Sequence, residues 1–341
     1  MRSRKVPHTC MCKTIQQIYL MNIGITGATG LLGFNILKQL QNKTKYSIKV
    51  LIRKDVDYIK NSDADIYYGN LSDIQSLEKF CNGLDAVIHC AAVISIGNKK
   101  RDDVFRANVT GTENIVAVCK KAKVKRFVHI SSIDALIHTP LDIPLDENRP
   151  LALNSPFDYA KSKAIAEQFV LKQNSNNFQV VVLNPTAIIG SNDYKPSLIG
   201  KTIKNIIEGK FPALIHGGYN WVDVQDVAKA AVSAVENGKA GKRYIISGEW
   251  MSLTEVARVA RLKAGKKSNL PVLPMWFIYA ILPLVTFFVK IIGINTIFTK
   301  ESIKILVSGN RNIKNEKAVK DLKFKPTPLV KTIDETVEWF I

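Results

Sequence analysis

Apolar and polar positions follow two alternating patterns between residue 21 and about residue 190. Short apolar runs, typical of buried strands, alternate with longer segments in which apolar residues recur every three or four positions, as in amphipathic helices. The predicted strands are residues 22–26, 48–52, 66–68, 86–89, 127–130 and 180–183, and the predicted helices begin near Leu32, Ile74, Phe105 and Asp158. This order predicts repeated βαβ units, and therefore an α/β fold with a doubly wound parallel sheet.

The alternation weakens after residue 190, which indicates a change of architecture. One further helix (222–236) and one further strand (243–246) are predicted to return to the sheet. We therefore predict a first domain of residues 21–190 with 222–248, and a smaller, mostly helical second domain of residues 191–221 and 249–341. Residues 1–20 are predicted to be an extension outside the fold, with Met21 as the working start. Four prolines between residues 139 and 156 predict an irregular loop over the sheet.

Composition narrows the functional classes. Hydrophobic residues make up 46% of the chain and charged residues 23%, which is typical of a folded globular protein. The net charge is +19, but the lysines are scattered and form no basic run interleaved with aromatics, so we expect no nucleic-acid partner. Five cysteines without CxxC spacing indicate neither a disulfide framework nor a metal site. No stretch near the N-terminus resembles a signal peptide, which favours the cytoplasm.

A glycine-rich turn follows the first predicted strand and precedes a helical pattern. It consists of Thr26, Gly27, Ala28, Thr29, Gly30, Leu31, Leu32 and Gly33. Such a turn supplies what a pyrophosphate needs, namely a tight bend, close approach of the backbone and helix N–H groups aimed at the anion. The sequence therefore predicts a dinucleotide-binding Rossmann domain, with a plain glycine turn as the alternative.

The end of the second strand indicates which dinucleotide is preferred. In Rossmann domains the residue about 20 positions beyond the glycines is acidic for NAD, whereas an arginine accommodates the 2′-phosphate of NADP. Here Arg53 and Lys54 directly follow the strand, and a guanidinium can form a paired contact with a phosphate. We therefore expect NADP(H) as the favoured cofactor, while Asp55 leaves NAD(H) open.

A tyrosine and a lysine four residues apart, Tyr159 and Lys163, lie at the start of a predicted helix. Residues i and i+4 share one helix face, so we expect the ammonium group to lower the pKa of the phenol, which is ordinarily about 10. Ser131 and Ser132 follow the fifth strand, at the sheet edge where α/β folds bind ligands. We expect Tyr159 to act as general acid/base and Ser132 to hold a substrate oxygen, with Ser131 as its neighbour or substitute. The alternative is an exposed tyrosine, a solvated lysine and ordinary turn serines.

In this order, the motifs resemble those of the extended short-chain dehydrogenase/reductases, in the group of NAD-dependent epimerase/dehydratase proteins. The turn reads TGxxGxxG, residues 89–92 end the fourth strand, and the serines, tyrosine and lysine follow. The chain is most similar to the branch of dihydroflavonol reductases and 3β-hydroxysteroid dehydrogenases. Shorter stretches at 108–112, 221–228, 324–326 and 335–340 agree, so the resemblance covers nearly the whole chain from Met21.

The resemblance implies a catalytic triad of Ser132, Tyr159 and Lys163, with Asn108 supporting the site through backbone or water contacts. Lys163 would also hold the nicotinamide ribose, while hydride passes between nicotinamide and a carbonyl or carbinol carbon. Beyond the glycine turn, the implied cofactor contacts are Arg53, Lys54, Asn70, Leu71, Cys90, Ala91, Ala92, Ser131, Tyr159, Lys163 and Pro185.

Two residues depart from the pattern of the group. Asn70 stands where an aspartate commonly meets the adenine, and its side chain can still hydrogen-bond an adenine amine. Asn184 stands where an arginine is frequent. Because an arginine would suit an anionic substrate, Asn184 argues against a nucleotide sugar.

A segment near the C-terminus, residues 271–289, carries no charged side chain. Three interpretations stay open for residues 271–292: a buried helix pair that lines an apolar substrate pocket, a peripheral membrane contact, or a membrane span that Pro283 would kink. The first two imply a lipophilic substrate.

Three functions are consistent with these observations. The leading hypothesis is an NADP(H)-dependent oxidoreductase that acts on the alcohol or ketone of an apolar small molecule. The second is a nucleotide-sugar epimerase or dehydratase that keeps NAD tightly bound. The third, from another class, is a non-catalytic dinucleotide sensor or membrane-associated factor. The sequence leaves the substrate, the reaction direction and the oligomeric state open, a homo-oligomer included.

Overall fold

The computed structural model describes residues 20–94, 101–268, 270–278, 280, 303–304, 306–307 and 309–341. Its strands are β1 (Met21–Thr26), β2 (Tyr46–Ile52), β3 (Asp65–Tyr68), β4 (Ala86–His89), β5 (Arg126–Ile130), β6 (Gln179–Pro185), β7 (Ala187–Ile189), β8 (Leu214–Ile215), β9 (Gly218–Asp223), β10 (Lys242–Ile246), β11 (Glu249–Ser252) and β12 (Val272–Leu273). Its α-helices are α1 (Leu31–Gln41), α2 (Asp57–Lys60), α3 (Ile74–Cys81), α4 (Arg101–Phe105), α5 (Gly111–Lys121), α6 (Asp158–Lys172), α7 (Leu198–Ile207), α8 (Val224–Asn237), α9 (Leu253–Lys263), α10 (Glu316–Leu322) and α11 (Leu329–Phe340). A π-helical turn (Arg106–Thr110) joins α4 to α5, and a 3-10 turn (Ile133–Ala135) follows β5.

Seven parallel strands form the main sheet, in the order β3-β2-β1-β4-β5-β6-β10. Helices cover both faces: α1, α8 and α10 share one apolar core with the sheet, and α3, α5 and α6 share the other. Side chains alternate between these cores along each strand, as Val87 and Ile88 do in β4. Burial on both faces explains why the strands appear in the sequence as nearly continuous apolar runs. The predicted doubly wound α/β fold is confirmed.

The order of the strands reverses at β1: β2 pairs with it on one side, and β4 pairs with it on the other. Connections leave the carboxyl ends of these two strand pairs in opposite directions, which opens a crevice at that edge. The crevice therefore lies beside the glycine turn after β1 and the residues that follow β4 and β5.

All six strands predicted for the first part of the chain are present, and each begins within two residues of its predicted start. The helix predicted to begin near Phe105 is wrong at that boundary, because the chain is already helical at Arg101. The helix predicted for residues 222–236 begins two residues later than predicted, at Val224. Asp223 ends β9 in an extended conformation, and its carboxylate accepts a hydrogen bond from the Gln225 amide (2.6 Å), so it caps α8.

Two small sheets lie beyond the main one: β7, β9 and β11 form the first, and β8 pairs with β12 in the second. Helices α7, α9 and α11 pack with the first small sheet around Ile203, Trp221 and Ile333. The prediction of a mostly helical second domain missed these strands. They contain two to six residues each, and such short segments show little periodicity. The predicted domain boundaries themselves stay a prediction.

The predicted loop between residues 139 and 156 is irregular, as expected. The Arg149 guanidinium donates to the carbonyl oxygens of Thr139 (2.6 Å), Pro140 (2.9 Å) and Ile143 (2.7 Å). The Leu145 amide donates to the carbonyl of Asn312 (2.8 Å). The loop is thereby fixed internally and to the segment that begins at residue 309.

Most of the apolar segment at 271–292 lies outside the described residues, as do residues 1–19. Of its described part, Ile278 is buried against Ile215, Ile303 and Leu306, whereas Trp276 is 71% exposed. Within the ranges given above, no helix combines the length and the apolar character that crossing a bilayer requires. A peripheral membrane contact of this segment stays a prediction.

Helix α10 belongs to the core of the main sheet, although the sequence placed it in the second domain. Its Ala318 and Leu322, and Phe324 after it, are buried with residues of α1 and α8.

We expect Leu322→Ala to lower the free energy of unfolding by about 2–4 kcal/mol, because it leaves a cavity in that core. Val319→Ala is the matched control on the same helix, where the side chain is 46% exposed, and should change stability by less than about 0.5 kcal/mol. Denaturant unfolding of the two variants measures the difference, and equal effects would contradict this packing.

Candidate active site

One cavity of about 400 Å³ opens at the carboxyl edge of the main sheet, in the crevice between the strand ends. Its wall contains most of the predicted site residues: Gly27, Gly30, Leu31, Leu32, Gly33, Cys90, Ala92, Ser131, Ser132, Tyr159, Lys163 and Pro185. The other predicted residues do not line it: Thr26, Ala28, Thr29, Arg53, Lys54, Asn70, Leu71, Ala91 and Asn108. The two groups that the sequence predicted separately, the glycine turn and the serine/tyrosine/lysine set, therefore share one space.

The glycine turn has the geometry that a pyrophosphate requires. Gly27 has φ +76°, and a Cβ atom there would lie 2.7 Å from the Ala91 amide nitrogen. A Cβ at Gly33 would lie 2.2 Å from the Gly27 carbonyl oxygen, so the turn packs directly against the start of α1. The amides of Leu31, Leu32 and Gly33 belong to the first turn of that helix and have no intrahelical acceptor. These donors and the helix dipole fit a dinucleotide phosphate.

A buried histidine fixes the strand ends behind this turn. His89 Nδ1 lies 2.7 Å from Thr26 Oγ1 at the end of β1, and Nε2 lies 3.1 Å from Thr112 Oγ1 on α5. Burial lowers the pKa of His89 to about 3, so the ring is neutral. The Ala91 amide also donates to Thr26 Oγ1 (3.4 Å). Thr26 and Ala91 thus position the turn from outside the cavity wall.

Two exposed cationic residues, Arg53 and Lys54, directly follow β2. The neighbouring Asp55 is engaged elsewhere: its carboxylate pairs with Lys60 (2.7 Å) and accepts a hydrogen bond from the Tyr68 hydroxyl. Asp55 is the acidic residue for which the sequence left NAD(H) as an alternative cofactor. With its carboxylate engaged in this way, the charge offered at this strand end is positive.

The predicted adenine contact at Asn70 stays a prediction. In this structure both the amide and the hydroxyl of Ser72 donate to Asn70 Oδ1, so an adenine amine would have to replace one of these donors. The neighbouring Leu71 accepts a hydrogen bond from Asn114 through its carbonyl (2.8 Å).

Helix α6 presents Tyr159 and Lys163 on one face, toward the end of β5. Lys163 is buried, and its Nζ donates to the carbonyl of Ile130, the last residue of β5 (2.6 Å). Burial lowers the pKa of Lys163 to about 8, while the nearby Glu167 opposes that shift. Ser132 follows with an extended backbone, and its Oγ accepts from the Asp134 amide (3.2 Å).

The expectation that Lys163 lowers the pKa of Tyr159 is not met. Burial raises the pKa of Tyr159 above its ordinary value, the Asp134 carboxylate raises it further, and a hydrogen bond with Ser132 opposes both. The ammonium group of Lys163 is directed to the Ile130 carbonyl instead of to the phenol. In this geometry the Tyr159 hydroxyl stays protonated near neutral pH.

Asn108 lies in the π-helical turn and is buried. Its Oδ1 accepts from the Val93 amide (2.7 Å), and its Nδ2 lies 3.0 Å from both the Val93 carbonyl and Ser162 Oγ. Asn108 therefore joins the segment after β4 to helix α6. These contacts are of the backbone-supporting kind that the resemblance implied, and its part in the reaction stays a prediction.

Sequence reasoning missed a buried carboxylate below the cavity, Glu167. It accepts from Ser131 Oγ (2.6 Å) and Asn184 Nδ2 (2.7 Å), and it pairs with Arg243 Nε (2.8 Å). Asn184 Nδ2 also donates to the carbonyl of Ser132 (3.0 Å) and does not line the cavity. Ser131 is thus a structural neighbour, and Ser132 is the serine beside Tyr159. The signal for Glu167 was its position four residues after Lys163 on the same helix face.

The far wall of the cavity is mainly apolar and was also missed. It includes Ile188, Leu198, Ile199, Tyr219 and Trp250. A recess behind Leu198 and Tyr219 is lined by further apolar side chains: Ile203, Phe211, Leu214, Ile215, Trp221, Leu253, Ile303 and Leu306. These residues come from separate parts of the chain after residue 187, so no single sequence motif marks them.

Comparisons with known proteins identify the family of this chain. The family described as NAD dependent epimerase/dehydratase matches residues 23–247, from the first strand of the main sheet to the last. Sterol demethylase protein B from Methylococcus capsulatus is 28% identical over 93% of this chain and 97% of its own length. A putative dihydroflavonol 4-reductase from Synechocystis is 29% identical, covering 93% of each chain. The crystal structure of gox2253 superposes with a TM-score of 0.80 at 28% identity, over 94% of this chain and 97% of that one.

These matches confirm the resemblance found in the motifs, including its reductase-like branch. The family match spans the glycine turn, the serines, Tyr159 and Lys163, which the structure brings into one cavity. The chain belongs to the NAD dependent epimerase/dehydratase family and is an enzyme of the extended short-chain dehydrogenase/reductase type.

Proposed function

We propose that this protein transfers hydride between a nicotinamide dinucleotide and a carbonyl or carbinol carbon of a lipophilic substrate, with Tyr159 as general acid/base. The observation that carries this proposal is the single cavity that holds the glycine turn, then Ser132, Tyr159 and Lys163, then an apolar wall. The bound dinucleotide would supply or accept the hydride. The residues of the chain supply binding, orientation and the proton.

Ser132 and Tyr159 both hydrogen-bond the substrate oxygen in this proposal, and they have different roles. The raised pKa of Tyr159 keeps its hydroxyl protonated, which is the form that donates to a carbonyl oxygen during reduction. The Ser132 hydroxyl, held by the Asp134 amide at the end of β5, can hydrogen-bond the same oxygen. Together they orient the carbonyl and stabilise the charge that develops on it.

The charge of Lys163 depends on pH in the range near neutrality. Because burial lowers its pKa to about 8, its ammonium form predominates below that pH and is lost above it. In this geometry its Nζ donates to the Ile130 carbonyl, which holds the side chain at the end of β5. We assign to the same group a hydrogen bond to the nicotinamide ribose.

We propose NADP(H) as the preferred dinucleotide. Its support is the pair of exposed cations after β2, Arg53 and Lys54, beside an Asp55 carboxylate that is paired with Lys60. A 2′-phosphate carries the charge that a guanidinium binds in paired geometry. The Asp55 carboxylate, which would suit the ribose hydroxyl of NAD, is shared with Lys60 and Tyr68.

A nucleotide-sugar epimerase or dehydratase is the rival function, because the family includes both activities by name. Such a substrate carries a diphosphate. Among the described residues that line the cavity, the only lysines are Lys163 and Lys195, and there is no arginine. Asn184, where an arginine would help, is turned toward Glu167 below the cavity. Tightly bound NAD after purification, with no consumption of added NADPH, would favour the rival.

The first test replaces the phenol. Tyr159→Phe should lower turnover at least about 100-fold, because it removes the proton that the reaction needs, while dinucleotide binding stays within about twofold. Tyr67→Phe, which packs against Phe80 away from the cavity, is the matched control. NADPH absorbance across a panel of sterol-like, flavonoid-like and sugar-nucleotide carbonyls measures turnover. Unchanged turnover in the Tyr159 variant would refute the assigned role.

The second test addresses the cofactor. Arg53→Ala should weaken NADPH binding by about tenfold or more, because it removes charged hydrogen bonds to the 2′-phosphate, and should leave NADH binding nearly unchanged. Arg258→Ala removes the same charge from an exposed position on α9 and should alter neither. Calorimetric titration of both dinucleotides gives the ratio. Tighter binding of NADH than of NADPH by the native chain would overturn the preference.

The third test separates the fold of the glycine turn from its binding role. A Cβ at Gly30 has no atom nearer than 3.5 Å, so Gly30→Ala should fold normally but weaken dinucleotide binding by about tenfold, because the methyl group enters the phosphate site. Gly27→Ala should instead destabilise the fold by more than about 1 kcal/mol, since its φ is positive and its Cβ meets Ala91. Native dinucleotide affinity in a folded Gly30→Ala variant would place the phosphates elsewhere.

A further inference from the structure

A lysine that the proposed hydride transfer does not use, Lys195, lies in the cavity wall together with the glycine turn. It belongs to residues 190–197, the segment that joins β7 to α7. Lys195 is exposed, and its side chain has no hydrogen bond or ion pair to any residue that the structure describes. Its ammonium group can therefore bind an anionic group that enters the cavity.

This segment is tied to helix α1, which begins at the glycine turn. Asn35 Nδ2 donates to the Ser191 carbonyl (3.2 Å), and Asn192 Nδ2 donates to Asn35 Oδ1 (2.9 Å). Asn35 is fully buried, so these hydrogen bonds are shielded from water. The segment therefore runs beside the helix whose first residues, Leu31 and Leu32, line the cavity.

Stacked aromatic rings connect the segment to the glycine turn itself. The ring of Tyr194 stacks on Tyr58 with centroids 4.4 Å apart, and it meets Phe34 of α1 edge-on at 5.1 Å. The Tyr58 hydroxyl donates to the carbonyl of Thr29 in the turn (2.9 Å). Tyr58 thus contacts both the glycine turn and the residue that precedes Lys195.

The backbone on both sides of Lys195 is fixed by a closed turn. The buried Asp193 carboxylate accepts from the Ser197 amide (2.9 and 3.0 Å) and from the Ser197 hydroxyl (2.9 Å). Ser197 Oγ in turn accepts from the Gly200 amide (2.9 Å) and caps α7. A ligand of Lys195 therefore has to order only the lysine side chain, which keeps the entropic cost of binding small.

We propose that Lys195 binds the pyrophosphate of the dinucleotide. Each phosphate of that group is negatively charged, whereas residues 26–33 contain no lysine or arginine and offer only the partial charges of backbone N–H groups. An ammonium group supplies the missing full charge, and it binds phosphate as a point charge without a fixed angle. The assignment rests on the proposed function, which places the dinucleotide on the glycine turn.

An anionic substrate is the other group that Lys195 could meet in the cavity. The contacts of the segment favour the cofactor, because they run to α1 and to the glycine turn. The dinucleotide is then held from two separate parts of the chain, by the turn after β1 and by the segment after β7. NADPH and NADH share the pyrophosphate, so Lys195 serves both, whereas Arg53 serves only NADPH.

Calorimetric titration of the full-length protein with NADPH, NADH and adenosine 2′-phosphate tests this assignment. Lys195→Met should weaken the binding of both dinucleotides by about tenfold, because one charged hydrogen bond is lost. Adenosine 2′-phosphate lacks the pyrophosphate, so its affinity should stay within about twofold. Lys195→Arg keeps the charge and should cost less than about threefold. Lys201→Met, at the start of α7 and outside the cavity wall, is the matched control and should alter none of these affinities.

Unchanged affinity for both dinucleotides in the Lys195→Met variant would overturn the assignment. A loss confined to NADPH, or an equal loss for adenosine 2′-phosphate, would also overturn it, because neither result comes from a pyrophosphate contact. Turnover of the Tyr159→Phe variant separates the two proposals. A normal rate there, with weakened dinucleotide binding in Lys195→Met, refutes only the proposed function. Lost turnover with full dinucleotide affinity in Lys195→Met refutes only the role of Lys195.

Discussion

The burial of one carboxylate, Glu167, is the constraint on which the active site depends. A charged group below the strand ends must be compensated, and its partners come from the end of β5 (Ser131), from β6 (Asn184) and from β10 (Arg243). Each partner is thereby fixed relative to helix α6. Because Asn184 also binds the carbonyl of Ser132, the same network sets the backbone from which the Ser132 hydroxyl reaches Tyr159. Burial raises the pKa of Glu167, and the surrounding donors oppose that shift.

Local patterns were sufficient to predict the sheet and the position of the glycine turn within it. Strand periodicity and the glycine spacing depend on neighbours within a few residues, so β1, the turn and α1 could be read directly. The pairing of Tyr159 with Lys163 on α6 was equally local. The pKa of Tyr159 could not be predicted in this way, because it depends on burial and on Asp134, which the fold brings from another segment.

The apolar wall of the cavity could not be predicted for the same reason. It combines residues of β7, α7, β9 and the segment after residue 309, which are far apart in the chain. Lys195 carried no motif either, since its position in the cavity wall depends on the stacking of Tyr194 on Tyr58, which exists only after folding. The placement of α10 on the main sheet was missed too, because a seven-residue helix does not show which core it joins. By contrast, the contact between Asn70 and Ser72 is local and could have been found from an asparagine with a serine two positions later.

Gly309, Asn310 and Ile313 line the cavity but lie far along the chain from the glycine turn and from helix α6. The last part of the chain therefore shapes a cavity whose glycine turn and Tyr159/Lys163 pair are encoded much earlier. After a gene duplication, substitutions at these three positions would change the shape of the cavity while the glycine turn, Tyr159 and Lys163 stay intact. Such a division allows selection to diversify metabolism within one scaffold by small steps.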